Sequence, residues 1–467
     1  MLGTILFGLF GLACLVGIAW AFSNNRGAVD WRLVATGISL QVAFAALVLL
    51  APGGRQVFEA LGHGFVKLLE FTQVGAALVF GDLARSEKLG FIFAFQVLPT
   101  IIFFAALMGV LYHAGVMQQI VRGMAWAITK VMRVSGAETT SVCASIFIGQ
   151  TEAPLTIRPY IAKMTPSELL TIMIGGMAHI AGGVLAAYVG MLGGGDPEQQ
   201  AFYAKHLLTA SIMAAPATLV IAKILAPETG EPLTRGTVRM DVDKSTVNVI
   251  DAAAGGASDG LRLALNVGAN VLKNLDVDLR KVRMEVEKTT VNVIDAAAGG
   301  ASDGLRLALN VGAMLLAFVA LIALINAPLT WLGEASGLAA WLGRPTDLGT
   351  LLGYVMAPVA WIIGVPWQDA IQVGGLIGQK IVLNEFIAYL QLAEIQGTLT
   401  DQGRLVATYA LCGFANFSSI AIQLGGIGGL APERRSDIAR LGMRAVLGGS
   451  IATFMTATIA GVLTRFG

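Results

Sequence analysis

The stretch Ile146-Phe-Ile-Gly-Gln-Thr-Glu-Ala-Pro154 places three consecutive polar residues, Gln150, Thr151 and Glu152, in a strongly apolar part of the chain. A carboxylate at membrane depth costs about 2.5–3.5 kcal/mol, so it persists where it faces a cavity, a partner or a ligand. The triplet therefore marks a candidate binding site inside a membrane protein.

The residues around this triplet favour a turn between two short helices. Gly149 tolerates non-helical backbone, and Pro154 disfavours a continuous helix. Non-helical backbone at membrane depth survives only where it is buried in protein or lines a wet cavity. The flanking segments 141–148 and 155–164 are each too short to cross a bilayer. We predict a re-entrant hairpin with a polar tip; the alternative is an ordinary soluble loop between two spans.

The composition indicates the class of protein. Of the 467 residues, 55% are hydrophobic and 13% are charged, whereas soluble domains carry about 25% charged residues. We therefore predict an all-α polytopic membrane protein. The net charge of +1 gives no indication of a nucleic-acid partner. None of the three cysteines has the spacing of a metal site, so we interpret them as reduced thiols that pack in apolar segments. We also expect no cofactor.

Apolar runs of spanning length predict about eight transmembrane helices. The runs cover approximately residues 1–22, 33–52, 91–113, 166–193, 202–226, 308–331, 404–430 and 439–464. The basic amphipathic segment 116–132 is expected to lie in the membrane interface. Under the positive-inside rule the basic loops 24–32, 227–289 and 432–440 are cytoplasmic, which places both termini and the polar stretch 53–88 outside.

A long internal repeat interrupts the middle of the chain. Residues 246–269 and 290–313 are identical, and the similarity extends upstream at the same offset of 44 residues, from 246 to 290. No functional repeat requires identity this strict, so we interpret it as a recent or engineered tandem duplication. The first copy is followed by the charged segment 273–288. We therefore expect that copy to lie on the cytoplasmic side as an additional amphipathic segment.

A second motif repeats features of the first. Ile377-Gly-Gln379 matches Ile148-Gly-Gln150 and leads into Asn384-Glu385-Phe386, again an acid in an apolar stretch. Three predicted spans separate the motifs, and because three is odd the second hairpin enters from the opposite face. Two opposed re-entrant hairpins are typical of inverted-repeat transporters, which bind substrate near the middle of the membrane between broken helices.

This pattern divides the chain into five regions. They are N-terminal scaffold spans (1–115), a first repeat with an interfacial helix, a hairpin and two spans (116–226), a cytoplasmic linker with the duplication (227–307), a scaffold span with an extracellular interfacial region (308–346), and a second repeat with a hairpin and two spans (347–467).

The polar residues of the two repeats favour recognition of an uncharged, planar solute with several hydroxyl groups. The amide of Gln150 can donate and accept hydrogen bonds, as recognition of an amide or a base edge requires. The two acids, when ionised, accept from hydroxyl or ring N–H groups. Asn416 and Ser419 lie three residues apart, hence on one helix face, and Phe414 can stack on a flat ring. The alternative is that these groups only join helices to one another.

Four motifs in this order resemble the concentrative nucleoside transporter family. They are GQTEAP at 149–154, AGGVLAAY at 181–188, NEF at 384–386 and CGFANFSS at 412–419. The resemblance implies an ion-coupled secondary active symporter, not an enzyme, that carries nucleosides such as uridine across a bacterial inner membrane. It also implies a homotrimer in the lipid bilayer, with scaffold helices and a transport domain that moves like an elevator.

The resemblance also implies roles for individual residues. The residues that it places against the nucleobase are Gly149, Gln150, Thr151, Glu152, Val184 and Phe414. The residues that it places against the ribose are Glu385, Asn416 and Ser419.

The coupling ion is the point at which this sequence departs from the family. The resemblance implies a sodium site of Ser145, Ile148, His179 and Ile180, with carbonyl oxygens from the two isoleucines. Sodium-coupled members have Asn in place of Ser145 and a hydroxyl residue in place of His179. An imidazole nitrogen is a poor substitute for an oxygen ligand, whereas His179 near Glu152 could carry a proton. The coupling ion therefore stays open between Na+ and H+.

Two other classes of function compete with a transporter. An intramembrane enzyme would use Ser145 with His179, or Asp196, but Asp196 lies in a polar loop and Ser145 lacks a nucleophile-elbow sequence. A solute channel would need a continuous wet path without alternating closure. Saturable uptake against a gradient distinguishes a transporter from a channel.

Overall fold

The computed structural model describes residues 2–85, 88, 92–113, 115–234, 313 and 316–466, and regular structure in these ranges is helical. The first part contains α1 (Leu2–Ala21), α2 (Trp31–Leu49), α3 (Pro52–Phe80), α4 (Leu98–His113), α5 (Val116–Met132), α6 (Gly136–Ser145), α7 (Pro166–Ala178), α8 (Gly182–Gly193) and α9 (Pro197–Leu225). The second part contains α10 (Leu316–Ala335), α11 (Leu338–Leu342), α12 (Leu348–Ile362), α13 (Trp367–Val382), α14 (Glu385–Ile395), α15 (Asp401–Leu411), α16 (Phe417–Leu430) and α17 (Arg435–Leu463). The duplicated segments lie almost entirely outside the described residues.

The predicted all-helical membrane fold is confirmed. Seven stretches of the described residues are long and apolar enough to cross a membrane, and the bent pair α12 and α13 raises the number to eight. The members of this set differ from the expected spans, because the runs 91–113 and 404–430 fall short of the criteria and the stretch 52–84 and the bent pair meet them. The polar segment 53–88, expected to be an extracellular connection, is mostly the 29-residue helix α3, and Pro52–Ala84 meets the criteria for a span. The run 91–113 gives a four-residue helix, Phe93–Gln96, and the 16-residue helix α4, which is too short for a span.

The charges on α3 explain why the sequence pattern was misleading there. Arg55 Nε lies 2.9 Å from Glu59 Oε1, one helical turn away, and Lys205 Nζ on α9 lies 3.1 Å from the same oxygen. Charges paired in this way can share one face of a long helix. A count of charged residues along the sequence cannot distinguish such a face from a polar loop. The assignment of each loop to one side of the membrane stays a prediction, as do the five regions.

Buried and exposed spans form two layers. In the most apolar window of each span, 78% of the residues are buried in α7 with α8, 89% in α9 and 83% in α17. The corresponding values for α1, α2, α3 and α10 are 28%, 33%, 22% and 6%. Large apolar side chains on the outer helices, such as Leu78 and Leu316, are exposed on the single chain. The polar motifs are therefore carried by the inner layer, and the outer layer presents apolar surface.

Two predicted spans are broken rather than continuous. Residues 179–181 separate α7 from α8, and His179 has extended backbone (φ −117°, ψ 166°). Residues 412–416 separate α15 from α16, and Asn416 has extended backbone (φ −141°, ψ 166°) while its side chain accepts a hydrogen bond from Ser419 N. An extended residue with such a side chain begins a new helix. Each break therefore leaves backbone N–H and C=O groups outside the regular hydrogen bonds of a helix.

Gly413 allows the two breaks to approach one another. Its φ of 156° lies where residues with a side chain are strained. A Cβ at this position would lie 2.8 Å from the carbonyl oxygen of Met177, at the end of α7. Only glycine therefore fits both the backbone conformation and the close contact between the breaks.

The first polar motif forms a helical hairpin. Helix α6 ends at Ser145, an irregular tip follows, and the chain returns through a 3₁₀ turn, Ala153–Ile157, and a short helical turn, Arg158–Ile161. Ten residues of α-helix span about 15 Å, half of the roughly 30 Å apolar core of a bilayer. This length supports a re-entrant hairpin rather than a soluble loop.

The second motif forms a hairpin with a different tip. Helices α13 and α14 are separated by Leu383 and Asn384, and Asn384 accepts a hydrogen bond from Ile387 N at the start of α14. The tip therefore lies directly before Glu385. Gln379, which matches Gln150 in the sequence, lies inside α13. The Ile-Gly-Gln match thus does not mark equivalent positions in the two hairpins.

Buried polar contacts fix the base of each hairpin. Lys223 Nζ at the end of α9 lies 2.8 Å from Glu138 Oε2 in the first turn of α6. Asp369 near the start of α13 accepts a hydrogen bond of 3.1 Å from Thr400 N. The following helix α7 begins with the predicted capping box, in which Thr165 Oγ1 accepts from Glu168 N at 3.1 Å. Both hairpins are therefore held at their bases, which positions their tips.

Candidate functional site

The tips of both hairpins and both helix breaks meet in one region. Gly182 N donates to Phe147 O at 3.0 Å, which ties the first tip to the first break. Tyr188 Oη on α8 donates to Glu385 Oε1 at 3.1 Å, which ties the first repeat to the second tip. These contacts join residues from the two repeats around one set of polar groups.

The first tip holds four of the six residues expected at the nucleobase. Gln150 and Thr151 are buried, with 7% and 8% of their surface exposed. The Glu152 side chain folds back over Gly149, and a Cβ on Gly149 would collide with Glu152 Oε2. That oxygen is buried without a hydrogen-bond partner among the described residues. Because buried polar atoms are nearly always paired, the tip has capacity to bind a further group.

Gln150 connects the expected base contacts to the expected ribose contacts. Its Nε2 donates to Ser419 Oγ at 3.1 Å, and its Oε1 accepts from Gln423 Nε2 at 3.2 Å. Val184, in the first turn of α8, and Phe414, in the second break, are both half-buried against the apolar core. The amide therefore lies where the first tip touches α16.

Glu385 and Asn416 form the second part of the site. Asn416 Nδ2 donates to Glu385 Oε2 at 2.8 Å. Asn416 Oδ1 accepts from Ser419 N at 2.8 Å, so its amide is oriented with the nitrogen toward the carboxylate. A carboxylate offers about four acceptor positions, and Tyr188 and Asn416 each occupy one. The Glu385 carboxylate therefore keeps acceptor capacity that suits neighbouring hydroxyl groups.

Three polar residues near these groups are absent from the residues expected from the sequence. Lys380 on α13 is fully buried and donates to Ala410 O at 2.9 Å and to Thr453 Oγ1 at 3.1 Å. Tyr188 and Gln423 are also fully buried and bind Glu385 and Gln150. A sequence signal existed for Lys380, since it is a cation in an apolar stretch five residues before an acid.

Among the described residues, no hydrogen bond joins Ser145 to His179 at the expected sodium site. Ser145 Oγ donates to Ser141 O at 3.0 Å, and His179 Nδ1 lies 2.6 Å from Gly175 O. Both are therefore bonded within their own helical segments. Ile148 lies in the first tip and Ile180 in the first break, which the bond from Gly182 N to Phe147 O connects. Ser145 and His179 thus each bond to a backbone carbonyl, whereas an intramembrane enzyme would need the two side chains to bond to each other.

Comparisons with known proteins identify a family that matches most of the chain. The family described as Na+ dependent nucleoside transporter C-terminus matches residues 206–277 and 273–461. The N-terminal part of the same family matches residues 10–83, and a nucleoside recognition domain matches residues 94–195.

Individual relatives match over nearly their whole length. The nucleoside permease NupC of Helicobacter pylori is 37% identical over 472 residues, which cover 99% of this chain and 98% of the relative. An uncharacterized transporter of Bacillus subtilis, YutK, is 42% identical over 459 residues, which cover 98% and 99%. The structure of CNTnw in an inward-facing, substrate-bound state is 39% identical, with a TM-score of 0.81 over 98% of this chain and 99% of that one.

The resemblance found in the four motifs is thus confirmed at the level of the family. The three family matches together span most of the chain, and the structural match covers 98% of it. The chain belongs to the Na+ dependent nucleoside transporter family.

Proposed function

We propose that this chain is an ion-coupled symporter that moves nucleosides such as uridine across a bacterial inner membrane by alternating access. One observation carries this proposal: the hydrogen bond between Gln150 and Ser419 brings an amide beside the Glu385 and Asn416 pair. An amide suits the edge of a base and a carboxylate suits vicinal hydroxyls. Membership of the nucleoside transporter family supports the same substrate class.

Recognition of the nucleobase is assigned to the first hairpin. Gln150 has one N–H and one acceptor position beyond its bonds to Ser419 and Gln423, and Thr151 and Glu152 lie beside it. The unpartnered Glu152 Oε2 supplies a further acceptor. Val184 and Phe414 contribute apolar surface for the faces of the ring.

Recognition of the ribose is assigned to the second repeat. The acceptor capacity left on Glu385 suits neighbouring hydroxyls, and Asn416 is held in place by its bonds to Glu385 and Ser419. Hydrogen bonds to a charged group contribute about 1.5–3 kcal/mol each. The sugar therefore supplies much of the binding free energy.

Alternating access requires that the inner layer move against the outer layer. We assign α1, α2, α3 and α10 to a scaffold because their apolar surface is mostly exposed on the single chain. In a homotrimer, part of this surface would face the other copies and the rest would face lipid. The inner layer with both hairpins would then move as one body, as in an elevator.

Uptake into proteoliposomes tests the proposed function. Labelled uridine should accumulate against its gradient when a sodium or proton gradient is imposed, and the rate should saturate. Uptake that never exceeds the external concentration would favour a channel. A protein that transports no nucleoside under either gradient would contradict the proposal.

The coupling ion is open to a direct test. Sodium dependence in the family supports Na+, but Ser145 binds within its own helix and His179 offers nitrogen rather than oxygen. Na+ binds best to oxygen ligands. We therefore expect weak sodium stimulation in the parent, and we expect the double variant Ser145→Asn, His179→Ser to show stronger stimulation.

The measurement is the initial rate of uridine uptake at increasing sodium concentrations, with choline as the substitute cation. Thr171→Ser serves as the control because Thr171 also bonds within its helix, to Ser167 O, and lies away from both breaks. Strong sodium coupling in the parent would contradict the ion prediction without affecting the nucleoside assignment.

We also infer that the identical segments 246–269 and 290–313 arose by tandem duplication and that the first copy adds no span. The charges after it, between residues 273 and 288, would be too costly in lipid. A protease site inserted near Asp278 should be cut only from the cytoplasmic side in oriented vesicles. Cleavage from outside would contradict this topology.

A further inference from the structure

Gln423 forms a short chain of hydrogen bonds that ends at the proposed base contact. Its side chain is fully buried on α16, one turn beyond Ser419. Its Nε2 donates to Met173 O at 2.9 Å and to Gln150 Oε1 at 3.2 Å. Both N–H groups of the Gln423 amide are therefore used, one toward α7 and one toward the first hairpin.

Space for this chain exists because position 176 is glycine. A Cβ on Gly176 would lie 2.8 Å from Gln150 Cβ and 2.9 Å from Gln423 Nε2. Any side chain at this position of α7 would separate the two amides. The contact between Gln423 and Gln150 thus depends on close approach of α7, the first tip and α16.

The order of the bonds fixes the orientation of both amides. A backbone carbonyl can only accept a hydrogen bond, so Met173 O requires that Gln423 present its nitrogen. That nitrogen requires that Gln150 present its oxygen. Ser419 Oγ cannot set the orientation by itself, because a hydroxyl both donates and accepts. Without Gln423, the amide of Gln150 could turn over and keep a bond to Ser419.

We propose that Gln423 is a positioning residue that holds the Gln150 amide in one orientation and thereby selects the hydrogen-bond pattern of the nucleobase. This inference rests on the proposed nucleoside function. The ribose is held by Glu385 and Asn416, so the base edge meets Gln150 from a fixed direction. A fixed donor and acceptor order then matches either a lactam edge, as in uridine, or an amino-substituted edge, as in cytidine, but not both.

The test compares uridine and cytidine uptake by the parent and by Gln423→Met in proteoliposomes. Methionine has a similar length and cannot donate, so the Gln150 amide becomes free to turn. We expect the parent to discriminate between the two nucleosides. In Gln423→Met, the ratio of their Vmax/KM values should move toward one by about tenfold, the effect of one mispaired buried hydrogen bond. A parent ratio near one, or an unchanged ratio in Gln423→Met, would overturn the inference.

Two further variants separate positioning from a structural role. In a Gln150→Met background, Gln423→Met should leave the ratio unchanged, since no amide remains to be oriented. A further change of ratio in that background would overturn the inference. Gln41→Met is the matched control, because Gln41 is also fully buried and its Nε2 donates to Thr456 at 3.0 Å, between α2 and α17. It should leave the ratio at the parent value, and a shift equal to that of Gln423→Met would overturn the inference.

The outcomes distinguish this inference from the proposed function. If the parent transports neither nucleoside, the proposed function fails. If the parent transports both and Gln150→Met changes the ratio while Gln423→Met does not, only the role of Gln423 fails.

Discussion

Glu385→Ala is expected to weaken uridine binding by at least about a hundredfold, the loss of two hydrogen bonds to a charged group. The substitution removes the acceptor for the sugar hydroxyls. It also removes the partner of Tyr188 Oη and Asn416 Nδ2, which are bonded to Glu385 at 3.1 Å and 2.8 Å. The measurement is calorimetric titration of the purified protein with uridine and with 2′-deoxyuridine. The deoxy compound should bind the parent more weakly and should lose less affinity in the variant.

Two controls separate ligand binding from folding. Tyr188→Phe removes one hydrogen-bond donor to Glu385 and keeps the carboxylate, so its effect on uridine affinity should be much smaller. Asp369→Asn alters another buried carboxylate, which accepts from Thr400 at the base of the second hairpin. This variant should lower the stability of the protein but leave the ratio of uridine to 2′-deoxyuridine affinity near the parent value. Equal uridine affinity in the parent and in Glu385→Ala would refute the ribose assignment.

Gln150→Ala should have the second largest effect, and it should be specific to the base. We expect uridine affinity to fall by roughly tenfold or more, since a buried base edge loses its partner. Binding of free ribose should change much less. The measurement is the inhibition of labelled uridine uptake by unlabelled uridine or by ribose, in the parent and in the variant.

Gln379→Ala is the matched control for this prediction. Gln379 follows the same Ile-Gly dipeptide but lies inside α13, and its amide lies beside Gly349 of α12. It should leave the ratio of uridine to ribose affinity unchanged. If Gln150→Ala weakens both ligands equally, Gln150 supports the hairpin tip and does not contact the base.

Local patterns predicted much of the fold. The capping box at Thr165 and Glu168 begins α7 as expected, because the bonds that form it lie within four residues. The first hairpin was predictable because Gly149 and Pro154 bracket polar residues between segments too short to cross. The helix α3 was mispredicted because its charges are satisfied partly by Lys205, which is distant in sequence.

The candidate site could be predicted only as separate motifs. Gln150 and Ser419 were both named from the sequence, but the bond between them joins residues 269 positions apart. Gln423 gave no sequence signal, since a lone glutamine in an apolar helix is more often a contact between helices. Its position between Met173 O and Gln150 depends on how three separate segments pack.

The sequence by itself determined that this is a helical membrane protein with two polar hairpin motifs, because apolar run length, helix caps and glycine or proline positions act over a few residues. The family followed from four short motifs in order. Only the tertiary structure decided which polar groups meet, which carboxylate oxygens keep free acceptor positions and which way each amide faces. Those properties arise from hydrogen bonds between distant segments, whose geometry is set by helix packing and not by neighbours along the chain.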